Sequence, residues 1–344
     1  MRWAAIAMLA GPVALVAGFL FAQCAGNNEV AQTFLRIFRY LLAAEILLLA
    51  ILILTGQQYE RRERDRDSKL YPPPGKLVDI GGYRLHLNCA GDVGPSVVLE
   101  YGHQGSYLDW RLVQPDLARW TRVCSYDRAG YGWSDSSPTS RVPSVMAQEL
   151  HTLLRTAGEK PPYILVGHSF GALNAIMFAH LFPEEVAGVV LVDGSHPDAL
   201  EPFRLSNRIF IRTMQFTMPL GLPRYRRWCG GAGPETIRGM SLAISCRSRL
   251  YGAIHREWAE FPRTAAEIRA INNLGAVPLI VIARDPKVRG NSPEEIRWND
   301  LQHKYLGLST NSEFVIAAGS GHNVPLADPT AVVDAVRKLA RNSH

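Results

Sequence analysis

The chain has 344 residues, with 37 lysines and arginines against 31 aspartates and glutamates for a formal charge of +6, and five cysteines. The length accommodates one large α/β domain with additions, and the positive charge comes neither as a single stripe nor with a nucleic-acid motif, so no nucleic-acid partner is expected. Cys24, Cys89, Cys124, Cys229 and Cys246 are scattered without C-x-x-C spacing, which suggests neither a metal site nor a disulfide framework, although Cys229 and Cys246 could pair in an oxidising compartment.

Trp3 to Ala22 runs for 20 residues without a charge, enough to cross a hydrocarbon core of roughly 30 Å as a helix and longer than the h-region of a cleaved signal peptide. A second apolar run from Tyr40 to Gly56 is interrupted only by Glu45, and Arg36 and Arg39 precede or enter it. Residues 1–59 are therefore expected to be a membrane anchor of two transmembrane helices, about 3–22 and 37–56, placing the protein in the cell membrane as a two-span chain. Arg61, Arg62, Arg64, Arg66 and Lys69 follow the second run. They outnumber the basic residues of the connecting loop, and the positive-inside rule puts both termini, and the domain that follows, in the cytoplasm. Residues 60–75 read as a charged and proline-rich linker, ending in the stiff spacer Tyr71-Pro72-Pro73-Pro74-Gly75.

From Lys76 the periodicity changes. Short apolar or alternating runs at Leu77–Ile80, Arg84–Cys89, Ser96–Tyr101 and Arg122–Tyr126 predict strands. Met146, Leu150, Leu153 and Leu154 are spaced as one helical face. Further strands are expected at Tyr163–Val166, Gly188–Val192, Leu279–Ala283 and Phe314–Ala318, and a last helix at Thr330–Arg341. Alternating strands and helices imply a mostly parallel sheet with helices on both faces, opened by an antiparallel pair. Residues 194–276 are too long for a simple connection and read as an inserted helical cap. With its following residue this stretch holds twelve arginines, no lysine and six acidic residues. That composition fits either an ordinary solvated basic face or a lid that touches acidic lipid or an anionic substrate.

Gly167-His168-Ser169-Phe170-Gly171 lies between the Tyr163–Val166 strand and a helix-like run from Ala172 to Leu181, where a G-x-S-x-G turn throws the serine outward as a candidate nucleophile. A serine hydroxyl needs a base. His322, in Gly319-Ser320-Gly321-His322 beyond the last strand, reaches the same carboxyl edge of the sheet and is the candidate. Two aspartates compete to orient it. Asp285 follows the Leu279–Ala283 strand, and Asp193 ends the Gly188–Val192 strand. Oxyanion donors are expected from the amide of Phe170 and from the Tyr101–Ser106 loop, with His103 at the donor position.

Together with Tyr126-Asp127-Arg128-Ala129-Gly130-Tyr131-Gly132-Trp133-Ser134-Asp135 and Leu191-Val192-Asp193, these elements resemble the α/β-hydrolase superfamily from roughly Leu77 to Leu339. The resemblance implies an α/β-hydrolase fold over residues 76–344 with an inserted cap, a structural and pocket-shaping part for Arg128, and Asp285 ahead of Asp193 as the acid. The expected function is a membrane-anchored serine hydrolase that cleaves an ester, amide or thioester of a mostly apolar acyl substrate, with proline-aminopeptidase-like chemistry a lesser variant. It would work without metal or organic cofactor and with no evident protein partner, membrane lipid aside. A non-catalytic binding protein on the same fold is the alternative.

Overall fold

The computed structural model describes residues 28–342 apart from 202–203, 231–232, 289 and 291. The first expected span, 3–22, lies outside these residues. The chain divides into two compact units: one takes in the chain up to Glu63 together with Pro219–Leu222, and the other holds Arg64–Met218 and the chain from Pro223 onward.

The dominant element of the first unit is the larger part of helix α1, described over Asn28–Leu70. It contains an apolar window, entirely exposed, long enough to cross a membrane. Among the described residues it is the one helix that meets that criterion. The linker expected at 60–75 is helical over its first part, because Arg, Glu and Lys are strong helix formers. Pro72 and Pro73 then end the helix.

The second unit is built on an eight-stranded sheet in the order β1-β2-β4-β3-β5-β6-β7-β8. The strands are β1 (Lys76–Asp79), β2 (Arg84–Ala90), β3 (Ser96–Glu100), β4 (Val123–Asp127), β5 (Tyr163–His168), β6 (Val186–Val192), β7 (Leu279–Arg284) and β8 (Ser312–Ala317). The β1–β2 and β2–β4 pairs are antiparallel and every other pair is parallel. Strands β3, β4, β5 and β7 are buried at every position; in β3, β5 and β7 this matches their Val, Ile and Leu runs, as expected when helices cover both faces. Helix α2 (Pro143–Ala157) turns Met146, Leu150, Leu153 and Leu154 into the core. Helix α3 (Phe170–Leu181) is apolar around its circumference and buried from Phe170 to Ala179. Between β6 and β7 stand the cap helices α4 (Leu205–Thr217), α5 (Glu235–Ser245), α6 (Ser248–Ala259) and α7 (Phe261–Arg269). Helix α8 (Pro293–Lys304) follows β7, and α9 (Pro329–Asn342) closes the chain with Val332, Val333, Val336 and Leu339 buried.

The cysteines depart from the expectation of no disulfide framework, while the one pairing it allowed, Cys229 with Cys246, is present. Cys89 and Cys124 face each other in the β2–β4 register and are disulfide-bonded. Cys229 and Cys246 form a second disulfide within the cap. The first pair is separated by 35 residues, a spacing that carries no signal until β2 is known to pair with β4.

Candidate active site

Strand β5 ends at His168 and the next residue, Ser169, adopts φ 52° and ψ −121°. This is a strained strand-to-helix turn, the geometry expected of a nucleophile elbow. It forces close passage: a Cβ at Gly171 would stand 2.4 Å from the Glu100 carbonyl oxygen, so only glycine fits between α3 and β3 there. Strand β6 pairs with β5 so that Val192 stands opposite His168. Ser169 and Asp193 therefore leave adjacent strand ends side by side, with Asp193 also at positive φ, 42°. Beyond β8, the turn at Gly319–Gly321 delivers His322.

These three side chains meet. His322 Nε2 lies 3.0 Å from Ser169 Oγ, and His322 Nδ1 lies 2.5 Å from Asp193 Oδ2. A proton on Nδ1, donated to the carboxylate, leaves the Nε2 lone pair facing the hydroxyl. Asp193 is fully buried. Its other contacts are donors: Trp298 Nε1–H at 2.8 Å, the Arg284 main-chain N–H at 3.3 Å and Arg284 Nη1 at 3.3 Å. Burial pushes this carboxyl up, but the hydrogen bond and charge of His322, the Trp298 indole and the Arg284 guanidinium together hold it below its ordinary value.

Asp285, favoured from sequence as the acid, does not join them. Its carboxylate accepts the main-chain N–H of Lys287 and of Gly319, both at 2.9 Å, and those two bonds keep its pKa low. The residue ties the end of β7 to the turn before His322. The side chain that β7 sends toward the site is Arg284, which also holds Glu295 through two hydrogen bonds of 2.6 and 2.7 Å.

The loop after β3 passes directly over the serine, since a Cβ at Gly102 would lie 2.9 Å from Ser169 Cβ. Arg128, fully buried, donates to the Tyr101 carbonyl at 2.7 Å and the Gly102 carbonyl at 3.0 Å. Because the C=O and N–H of a trans peptide point in opposite directions, holding the Gly102 carbonyl turns the His103 N–H away from Arg128. Phe170 is the first residue of α3, whose leading N–H groups have no acceptor within the helix. The loop that carries His103 and the first residue of α3 thus both adjoin Ser169. Ser195 Oγ is 3.4 Å from Ser169 Oγ.

Arg128 also pairs with Glu100 at 2.7 Å and with the cap residue Glu257 at 3.1 Å. Glu257 accepts from Tyr131 at 2.6 Å and meets His103 Nδ1 at 3.0 Å. Burial raises the Glu257 carboxyl, yet Arg128 and His103 overcome it and bring the pKa down to about 2. The His103 ring stacks on Trp258 at 4.8 Å, and Phe170 stacks on Phe261 at 5.7 Å, so core and cap meet in an aromatic cluster next to the serine.

Sequence reasoning brought Ser169, His322, Phe170 and His103 to one place and held Asp193 in reserve. It gave no part to Glu257, Arg284 or Trp298, whose approach depends on how the cap and the β7–β8 connection fold. Nor does the sequence give a part to His168, whose Nε2 donates to the His322 carbonyl at 2.8 Å.

The model of the alpha/beta hydrolase family matches residues 94–335. The uncharacterized protein YqjL of Bacillus subtilis strain 168 is 27% identical over 259 residues, covering 75% of this chain and 88% of its own. Among solved structures, the epoxide hydrolase CorEH superposes with a TM-score of 0.59 at 20% identity, covering 78% of this chain and 98% of its own. A thermophilic esterase from Thermogutta terrifontis superposes with a TM-score of 0.56 at 22% identity, covering 78% and 98%. Matched over most of its length by the family's sequence model and by folds of this kind, the chain belongs to the alpha/beta hydrolase family.

Proposed function

We propose that the protein is a membrane-anchored serine hydrolase that cleaves a carboxylic ester of a mostly apolar acyl group, with Ser169 as nucleophile, His322 as base and Asp193 as the orienting acid. The observation that carries this reading is the continuous series Ser169 Oγ, His322 and Asp193, spaced at 3.0 and 2.5 Å. Ser169 Oγ attacks the ester carbonyl as His322 Nε2 takes its proton, and Asp193 stabilises the imidazolium. The tetrahedral oxyanion is met by the Phe170 and His103 amides. Its collapse breaks the carbonyl–alkoxy bond, and His322 returns the proton to the departing alcohol. Water, deprotonated by His322, then releases the acid and restores the serine. The aromatic cluster of His103, Phe170, Trp258 and Phe261 supports an apolar acyl group. A serine at the nucleophile position speaks against epoxide-hydrolase chemistry, in which a carboxylate attacks.

The exposed apolar stretch of α1 supports membrane anchoring. The domain is assigned to the oxidising side of that membrane, opposite to the cytoplasmic placement expected from the basic residues after it. The two disulfides support this assignment, because such bonds do not ordinarily persist in a reducing cytosol.

An activity-based fluorophosphonate probe tests the chemistry. It should label the wild type and fail on Ser169→Ala; an unlabelled wild type, or equal labelling of the variant, would sink the serine-hydrolase reading.

A further inference from the structure

The cap carries arginines that ester cleavage does not use. Helices α4 and α6 pack together, and with Ser136 of the core they frame an open groove of about 640 Å³. Its lining includes Arg212, Arg249, His255 and Arg256, with Gln215 and Ser248 between them.

The charge in this groove is not matched from within. Arg249 Nη2 reaches the Gly132 carbonyl at 2.9 Å and Arg256 Nη1 the Ser137 carbonyl at 2.5 Å, while Arg212 Nη1 donates to Gln215 Oε1 at 3.3 Å. Arg249 Nε is buried without a hydrogen-bond partner among the described residues. Asp127 and Asp135 lie within reach of Arg249, and Glu149 and Glu257 within reach of Arg256, and each of these carboxylates is engaged elsewhere. Asp127 is taken by His86, Asp135 by Arg84, Glu149 by Arg141 and Glu257 by Arg128. Arg208 and Arg212 add further positive charge, felt at His255.

Beside the groove, α4 presents a face that a merely solvated basic helix would not have. Leu205, Ile209 and Phe216 are 73%, 58% and 74% exposed. They fall at the three- and four-residue spacing of one helical stripe that Arg212 completes. Large apolar side chains flanked by arginines suit the boundary between lipid headgroups and acyl chains, where each finds its own medium.

We infer that this face of the cap docks on an anionic lipid surface, with a phosphate headgroup in the groove of Arg212, Arg249 and Arg256 and with Leu205, Ile209 and Phe216 entering the interface. The assignment uses none of the side chains given to bond cleavage, so it stands or falls apart from the esterase reading.

The test uses the full chain reconstituted in vesicles of phosphatidylcholine with or without about 30% phosphatidylglycerol, a charge density at which basic residues gain substantially from the surface potential. An environment-sensitive fluorophore at Phe216→Cys reports quenching by lipids with a spin label near the headgroup. Quenching should rise in the anionic vesicles and fall back in high salt. Reversing two exposed charges, Arg208→Glu with Arg212→Glu, should reduce the docked population at least about tenfold, with circular dichroism unchanged. Equal quenching in neutral and anionic vesicles, or no loss in the reversed variant, would overturn the inference. So would saturable binding of glycerol phosphate in solution by a cap that anionic vesicles leave unquenched, since the groove would then serve a soluble phosphate.

Discussion

His168 Nε2 donates to the main-chain carbonyl of His322 at 2.8 Å, so the residue before Ser169 holds the backbone of the residue proposed as the base. Burial and the neighbouring His322 together bring the His168 pKa down to about 4, which keeps it neutral and in the donor form. Replacing it with alanine should leave labelling of Ser169 detectable but lower kcat by about 10- to 100-fold with little change in KM, the loss expected when a general base is no longer held in place. A KM rise with kcat intact would assign His168 to substrate binding instead.

The same residue sets a pH dependence of stability. Its folded pKa lies below the ordinary value of 6.5, so the unfolded chain binds the extra proton first. The stability that goes with a neutral His168 is complete above about pH 6.5 and is lost as pH falls toward about 4, by on the order of 3 kcal/mol. Thermal melts from pH 7 to 4 should show a Tm decline that is shallower in His168→Gln; parallel curves would show that His168 does not titrate on folding.

For the proposed orienting acid, Asp193→Asn should reduce kcat by about 10³- to 10⁴-fold, as loss of the correct imidazole tautomer does in comparable relays. Asp285→Asn should stay within a few-fold of wild type, because the Asp285 carboxylate accepts the main-chain amides of Lys287 and Gly319. Measuring hydrolysis of an activated ester by both variants separates them. The reverse order would move the acid to β7.

Glu257 joins Arg128 to His103 across the cap–core boundary. Changing it to glutamine strips the buried guanidinium of one counter-charge and should cost about 3 kcal/mol, the usual result of breaking a buried pair from one side. Urea denaturation would register this as a lower midpoint at unchanged slope. Because the folded pKa of Glu257 is about 2, its contribution is whole above the ordinary carboxyl value near 4.5 and fades as pH drops from there toward 2.

The disulfides predict that Cys89, Cys124, Cys229 and Cys246 resist alkylation in the native protein until a reductant is added. Mass spectrometry of alkylated peptides counts them directly. If all four react without reductant in protein taken from cells, the oxidising placement fails. Loss of either bridge should lower stability by roughly 2 to 4 kcal/mol, on loops of 35 and 17 residues.

Much of the site was legible because its parts are local. The elbow is five consecutive residues, and His322 and the Gly102 loop are both punctuated by glycines directly beyond a strand. The strand periodicities located all eight members of the sheet to within a few residues. What stayed illegible depends on tertiary placement. Asp193 and Asp285 both follow strands, and only the way the chain turns after β7, sending Arg284 inward and Asp285 onto the Lys287 and Gly319 amides, tells them apart. The Cys89–Cys124 bond was hidden for the same reason, since it needs the antiparallel register of β2 on β4. Glu257 sat in the cap among six acids with nothing in its neighbours to mark it.

The adjacency of β5 and β6 bears on how the protein becomes competent. Once those two strands pair, Ser169 and Asp193 already stand at neighbouring tips, and only the imidazole is missing. It arrives from 153 residues beyond the serine, after the cap, β7 and β8 have been laid down. With Ser169 and His322 working as proposed, the hydroxyl remains an ordinary alcohol during synthesis until the segment that carries His322 docks, and the onset of probe labelling follows that docking.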